Sequence, residues 1–123
     1  MFLANLGPVA DFTARAMFAK SFFEAGGIEA IMNEGFQTVD LLLNACSNSK
    51  ARLFCVCGSD KTYVEQLGST IEGLRAMSKS PIYIACRPGV LTEDIKRAGA
   101  TTFIFAGCDT LTILSEALEA ACA

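Results

Sequence analysis

The sequence contains no histidine and no tryptophan. Without histidine there is no imidazole to activate a serine or cysteine nucleophile and no imidazole nitrogen to offer a metal. Serine is present, but no Gly-x-Ser-x-Gly elbow presents it. The loops hold no adjacent pair of carboxylates for acid–base work. Basic residues are few, ten Lys and Arg against thirteen Asp and Glu, and they are scattered. A nucleic-acid surface needs a basic stripe, so that class is disfavoured. No apolar run approaches the roughly 18 residues of a membrane span, and the start has no charged secretory region. There is no internal repeat and no low-complexity tract.

What remains is a 123-residue chain, 52% hydrophobic, suited to one domain spanning residues 1–123. Cysteine is frequent, at positions 46, 55, 57, 86, 108 and 122. Cys55, Cys57, Cys86 and Cys108 lie in or just after apolar runs rather than in loops. That placement suits a small buried hydrophobe in a reduced, cytoplasmic setting better than a disulfide framework.

Strand and helix patterns alternate five times. The apolar runs Met1–Leu6, Ile28–Met32, Leu53–Cys57, Ile82–Cys86 and Phe103–Ala106 are short and continuous, as strands buried on both faces should be. The first helix is expected over Asp11–Ala25, with Asp11 as N-cap, Gly26-Gly27 as its end, and Phe12, Ala16, Ala19 and Phe23 inward. Thr38 caps the second, with Val39, Leu42, Leu43 and Cys46 at core spacing. The third starts near Ser59-Asp60 and turns Val64, Leu67, Ile71 and Leu74 inward. Thr92 caps a short fourth, which buries Ile95 and stops at Gly99. Asp109 caps the last, with Leu111, Leu114 and Leu118 inward. Five such units predict an α/β, flavodoxin-like three-layer sandwich with a five-stranded parallel sheet in the order 2-1-3-4-5.

Ligands of such sheets sit beyond the carboxyl ends of the strands, so the loops Gly7–Ala10, Gly58–Asp60, Arg87–Val90 and Gly107–Asp109 are the ones to inspect. The first is not a Gly-x-Gly-x-x-Gly turn, and Pro8 removes a backbone donor that a phosphate would use. Asn5 and Leu6 stand where a magnesium-binding receiver domain needs acidic residues. Cys57, Cys86 and Cys108 share one edge of the sheet, where packing is favoured over zinc or redox chemistry because none forms a tight metal-type pair. Arg87 suits either an anion or a surface ion pair.

Several strings are familiar. Phe2-Leu3-Ala4-Asn5-Leu6-Gly7-Pro8, Thr13-Ala14-Arg15-Ala16 and the run from Phe22 to Ala30 resemble the C-terminal domain of the small (beta) subunit of bacterial methylmalonyl-CoA mutase. Cys86-Arg87-Pro88-Gly89 and the run from Phe103 to Asp109 resemble its later signatures. The resemblance implies a cobalamin-binding-like fold. In the family's cobalamin-binding members an Asp-x-His-x-x-Gly motif follows the first strand, its histidine ligating cobalt and its aspartate orienting the imidazole. Those three positions fall here on Val9, Asp11 and Ala14. A Ser-x-Leu at the end of the third strand becomes Cys57-Gly58-Ser59, and a Gly-Gly after the fourth becomes Ala85-Cys86, where the cysteine side chain narrows the slot for the nucleotide tail.

The resemblance thus implies a degenerate, non-cobalamin-binding and non-catalytic domain with no cofactor or metal of its own. Its role would be structural, in a heterodimer that interconverts methylmalonyl-CoA and succinyl-CoA. Adenosylcobalamin is expected on the large subunit. The expected partners are that subunit and the N-terminal barrel of a longer small subunit, of which this chain is a fragment. The alternative is a domain that binds a nucleotide or corrinoid in the switch-point cleft without a cobalt ligand.

Overall fold

The computed structural model describes residues 1–49, 51–77, 81–87 and 102–122. Its elements are β1 (Phe2–Asn5), α1 (Val9–Ala25), α2 (Val39–Ser49), β2 (Phe54–Cys57), α3 (Asp60–Thr62), a π turn (Tyr63–Leu67), α4 (Gly68–Met77), β3 (Ile82–Ala85), β4 (Thr102–Ile104) and α5 (Thr110–Cys122). The expected fourth helix, with Thr92, Ile95 and Gly99, lies outside the described residues.

The four strands form one parallel sheet in the order β1-β2-β3-β4. Alternate side chains enter two cores. Leu3, Cys55, Cys57, Tyr83, Ala85 and Ile104 meet Phe12, Ala16, Phe23, Ile113 and Ala117 of α1 and α5. Ala4, Phe54, Val56, Ile82 and Ile84 meet Leu42, Cys46, Leu67, Ile71 and Leu74 of α2, the π turn and α4. Both sheet faces are thereby dry, which explains why each strand reads as an unbroken apolar run. The result is the expected three-layer α/β sandwich.

The expected strand Ile28–Met32 is the main correction: among the described residues the sheet has four strands, not five. The segment does run parallel beside β1, but through two isolated bridges, Phe2 with Ile31 and Leu6 with Phe36. Phe2 and Leu6 are four positions apart and Ile31 and Phe36 are five, so one residue bulges out. Gly35 takes the bend, with φ +90°. The Asn33 side chain stands in for the missing ladder. Its Nδ2 donates to the Leu3 carbonyl at 2.9 Å, and its Oδ1 accepts from Asn5 Nδ2 at 3.0 Å and the Gly35 N–H at 2.9 Å. The segment therefore keeps the position that the order 2-1-3-4-5 gives it, without regular strand pairing.

Helix ends follow local chemistry. Gly26 and Gly27 close α1 as expected: Gly27 adopts φ +86°, its N–H donates to the Glu24 carbonyl, and the Ile28 N–H donates to that of Phe23. This is a Schellman motif. Thr38 Oγ1 accepts from the Leu41 N–H and Asp109 Oδ1 from the Thr112 N–H, so both expected caps form. Asp11 is not a cap. The helix starts two residues before it, with Pro8 in the cap position, which leaves Asp11 in the first turn. Three inward assignments also change. Val64 is 70% exposed, because the π turn directs Tyr63 inward instead. On α5, Leu111 is 79% exposed and Leu118 is also exposed, while Ile113 and Ala117 are buried.

Candidate functional site

The carboxyl ends of β1, β2 and β3 converge on the start of α1 and on α3. Beyond β1 lies a cleft of about 340 Å³. Gly7, Pro8 and Asp11 line it from the β1–α1 turn, Gln37 from the approach to α2, and Lys61, Thr62, Glu65 and Gln66 from α3 and the π turn. The lining thus carries two carboxylates and one ammonium. Gln66 Oε1 is buried and has no hydrogen-bond partner among the described residues.

Beside it, the gap between β2 and β3 is filled. Pairing between these strands ends at Val56 with Ile84. Past that point the Tyr63 hydroxyl sits between them. It is directed at the Val56 carbonyl (3.1 Å) and the Ala85 carbonyl (3.0 Å), and it accepts from the Gly58 N–H at 3.1 Å. One phenolic proton is shared between two acceptors while a lone pair takes the amide. Tyr63 is only 2% exposed. Burial pushes its phenol well above the usual tyrosine range, so it stays a donor.

Arg15 closes this arrangement from α1. Its guanidinium carbon lies 5.1 Å from the Tyr63 ring centroid, its Nη1 donates to the Gly58 carbonyl at 2.6 Å, and its Nη2 pairs with Asp60 Oδ1 at 2.6 Å. Ser59 supports the corner as cap of α3, its Oγ accepting from the Thr62 N–H at 3.2 Å.

The residues singled out from the sequence divide between these two places. Cys57, Ser59, Ala85 and Cys86 gather at the ends of β2 and β3, around the Tyr63 hydroxyl. Asp11 stands apart on the cleft wall. Val9 is 52% exposed and Ala14 also lies on the surface of α1, so neither joins them. Sequence reasoning passed over Tyr63 and overlooked the part Arg15 plays. The available signal was a tyrosine four residues after a capping serine and four before a core leucine.

Cys46, Cys55, Cys57, Cys86 and Cys108 are packing residues first. Cys55 and Cys57 point into the core on the α1 side, 4.0 Å apart through their sulfurs. Burial pushes the Cys86 thiol up to about 11, with nearby Arg15 opposing and Asp60 adding to the shift. Such a thiol is protonated at neutral pH and a poor nucleophile. Among the described residues no three His, Cys, Asp or Glu side chains gather as a metal-holding group. Arg87 donates from Nη2 to the Ala106 carbonyl at 3.0 Å and lies 5.3 Å from the Phe105 ring, tying the end of β3 to the turn after β4. Among the described residues no helix is long and apolar enough to cross a membrane.

No family model matches the chain. Curated relatives do. The methylmalonyl-CoA mutase small subunit of Streptomyces virginiae is 32% identical over 119 residues, 97% of this chain and 18% of that protein. The corresponding subunits of Propionibacterium freudenreichii subsp. shermanii and Porphyromonas gingivalis are 27% and 25% identical, over 97% and 93% of this chain. The chain spans under a fifth of the length of these relatives. Among solved structures, a CheY-like protein (TadZ) from Pseudomonas aeruginosa PAO1 superposes with a TM-score of 0.68 at 17% identity, over 98% of this chain and 93% of that one. At that identity the likeness concerns the fold, and it agrees with a flavodoxin-like sandwich.

Proposed function

This chain is a homologue of one segment of the methylmalonyl-CoA mutase small subunit, and on that premise we propose that it is a cofactor-free domain with a structural and assembly role in the mutase heterodimer. The complex interconverts methylmalonyl-CoA and succinyl-CoA in the cytoplasm, with adenosylcobalamin carried by the large subunit. The domain packs against that subunit and against the barrel of its own subunit, and performs no chemistry itself.

The observation that carries this reading is the filled gap between β2 and β3. A buried nucleotide tail needs open space at Gly58 and Ala85, and the Tyr63 phenol already bonds to both. The residues present also do not fit a corrinoid held through its cobalt. Asp11 offers a short carboxylate, and Val9 and Ala14 face solvent. The buried Gln66 Oε1, which has no hydrogen-bond partner among the described residues, favours the second reading, a nucleotide held in the cleft beside Gly7 and Asp11.

Absorbance tests the first reading. Adenosylcobalamin titrated with the chain is expected to keep its base-on spectrum, and Asp11→His is expected to leave it unchanged, since a new imidazole does not vacate the gap. A saturable base-off shift with the wild-type chain at micromolar concentration overturns the reading. A shift with Asp11→His alone means that the gap opens on demand.

A further inference from the structure

Where the β2–β3 ladder stops, the two strands splay, and backbone groups at their ends are left to other partners. The Val56 and Ala85 carbonyls and the Gly58 N–H all turn to one hydroxyl, that of Tyr63. The ring lies so close to the Gly58 backbone that a Cβ there would come within 3.2 Å of Tyr63 Cε1. Arg15 lies over the ring and is anchored at two points, the Gly58 carbonyl and the Asp60 carboxylate. Two acceptors, one donor, a ring-width gap and a cation over the ring face make up a complete recognition set for one chemical class. Crevices at the carboxyl ends of parallel strands are where doubly wound sheets take ligands.

We infer that the crevice between β2 and β3 is a ligand site occupied in cis, with the Tyr63 phenol as its ligand and free phenols as the class it accepts once that side chain is removed. The inference rests on the closed-domain reading above and deepens it, since it names what closes the domain and by which contacts. Arg15 is a positioning residue in this arrangement: it holds the occupant and the Gly58 turn together. The hydroxyl sets specificity. A site built to bond an O–H rejects the analogue without one, because its own buried groups are then left unpaired.

The test is thermal denaturation of the 123-residue chain with p-cresol or toluene as the probe. The wild-type melt is expected not to respond to either. Tyr63→Gly, which vacates the whole volume of p-cresol including the Cβ, is expected to melt more than about 10 °C lower. Millimolar p-cresol should recover about half of that loss by mass action, and toluene at the same concentration much less. If Tyr63→Gly does not fold, far-UV circular dichroism on adding p-cresol becomes the readout, with the same contrast to toluene. Tyr63→Phe keeps the ring and is expected to melt about 5 °C lower, because three backbone groups lose their partner. Rescue by toluene equal to that by p-cresol, no rescue at all, or a Tyr63→Phe melt equal to wild type overturns the inference. These outcomes are independent of the cobalamin titration: a base-off shift in the wild-type chain sinks the closed-domain reading, whereas failed rescue without such a shift sinks only the phenol site.

Discussion

Gly27 and Gly35 adopt nearly the same left-handed backbone, φ +86° and +90°, yet they answer to different constraints. A Cβ on Gly27 meets nothing within 4 Å, whereas one on Gly35 would lie 2.3 Å from Phe12 Cε2 and 2.9 Å from the Gly7 carbonyl oxygen. Gly27→Ala should therefore cost only the left-handed strain, about 1–2 kcal/mol. Gly35→Ala should cost clearly more, because Phe12 and the β1–α1 turn must also move. Urea denaturation checks this, and equal losses would refute it. Cys86 gives a second expectation at this scale. With its thiol pushed up to about 11, alkylation should be slow at neutral pH and accelerate steadily toward pH 11. The legible residues were those whose chemistry is local. Gly26-Gly27, Thr38, Ser59 and Asp109 each act on backbone within a few positions. Asp11 was misread because proline also suits a helix start, and Pro8 moved the start upstream.

The segment beside β1 shows how side chains can complete an edge that backbone leaves incomplete. Asn33→Ala removes the donor to the Leu3 carbonyl and the acceptor for the buried Asn5 amide. Orphaning such groups should cost about 1–3 kcal/mol by urea denaturation. No change would mean that the bulge does not depend on the amide. The run Ile28–Met32 has the composition of a strand, but composition does not reveal a one-residue mismatch in spacing between Ile31 and Phe36. The helix after β2 hides a similar irregularity. A regular helix turns about 100° per residue, which places both Tyr63 and Val64 near the Leu67 face. The wider π turn brings Tyr63 into line with Leu67 and swings Val64 out. Val64→Lys should accordingly stay within about 0.5 kcal/mol of wild type. Leu67→Ala should lose about 2–5 kcal/mol. A large loss for Val64→Lys would place that side chain in the core after all.

At the scale of the whole molecule, two cores share one sheet, and their buried thiols and phenol set the alkaline limit of stability. Burial pushes the Cys46 thiol up to about 12 and the Tyr83 phenol up to about 12, alongside Cys86 at about 11. In the unfolded chain thiols ionise near 9 and phenols near 10. Between those values and about 12 the unfolded state binds fewer protons, so stability is fully present below about pH 9 and falls as pH rises through that window. Midpoints of urea denaturation from pH 8 to 11 should decline, and a flat profile would contradict the burial. The sandwich architecture was legible because strand burial on both faces writes itself into composition. The closed crevice was not, because Tyr63 reaches the ends of β2 and β3 only through the π turn, a feature of backbone pitch. A π turn amounts to an α-helix lengthened by a single residue. Deleting Val64 should leave an unbroken helix from Asp60 to Met77 with its Ser59 cap and its core leucines intact, and should place Tyr63 three residues before Leu67, turned by about 60° from its present line toward the gap. One codon in this helix thus sets how squarely the phenol is aimed at the crevice it seals.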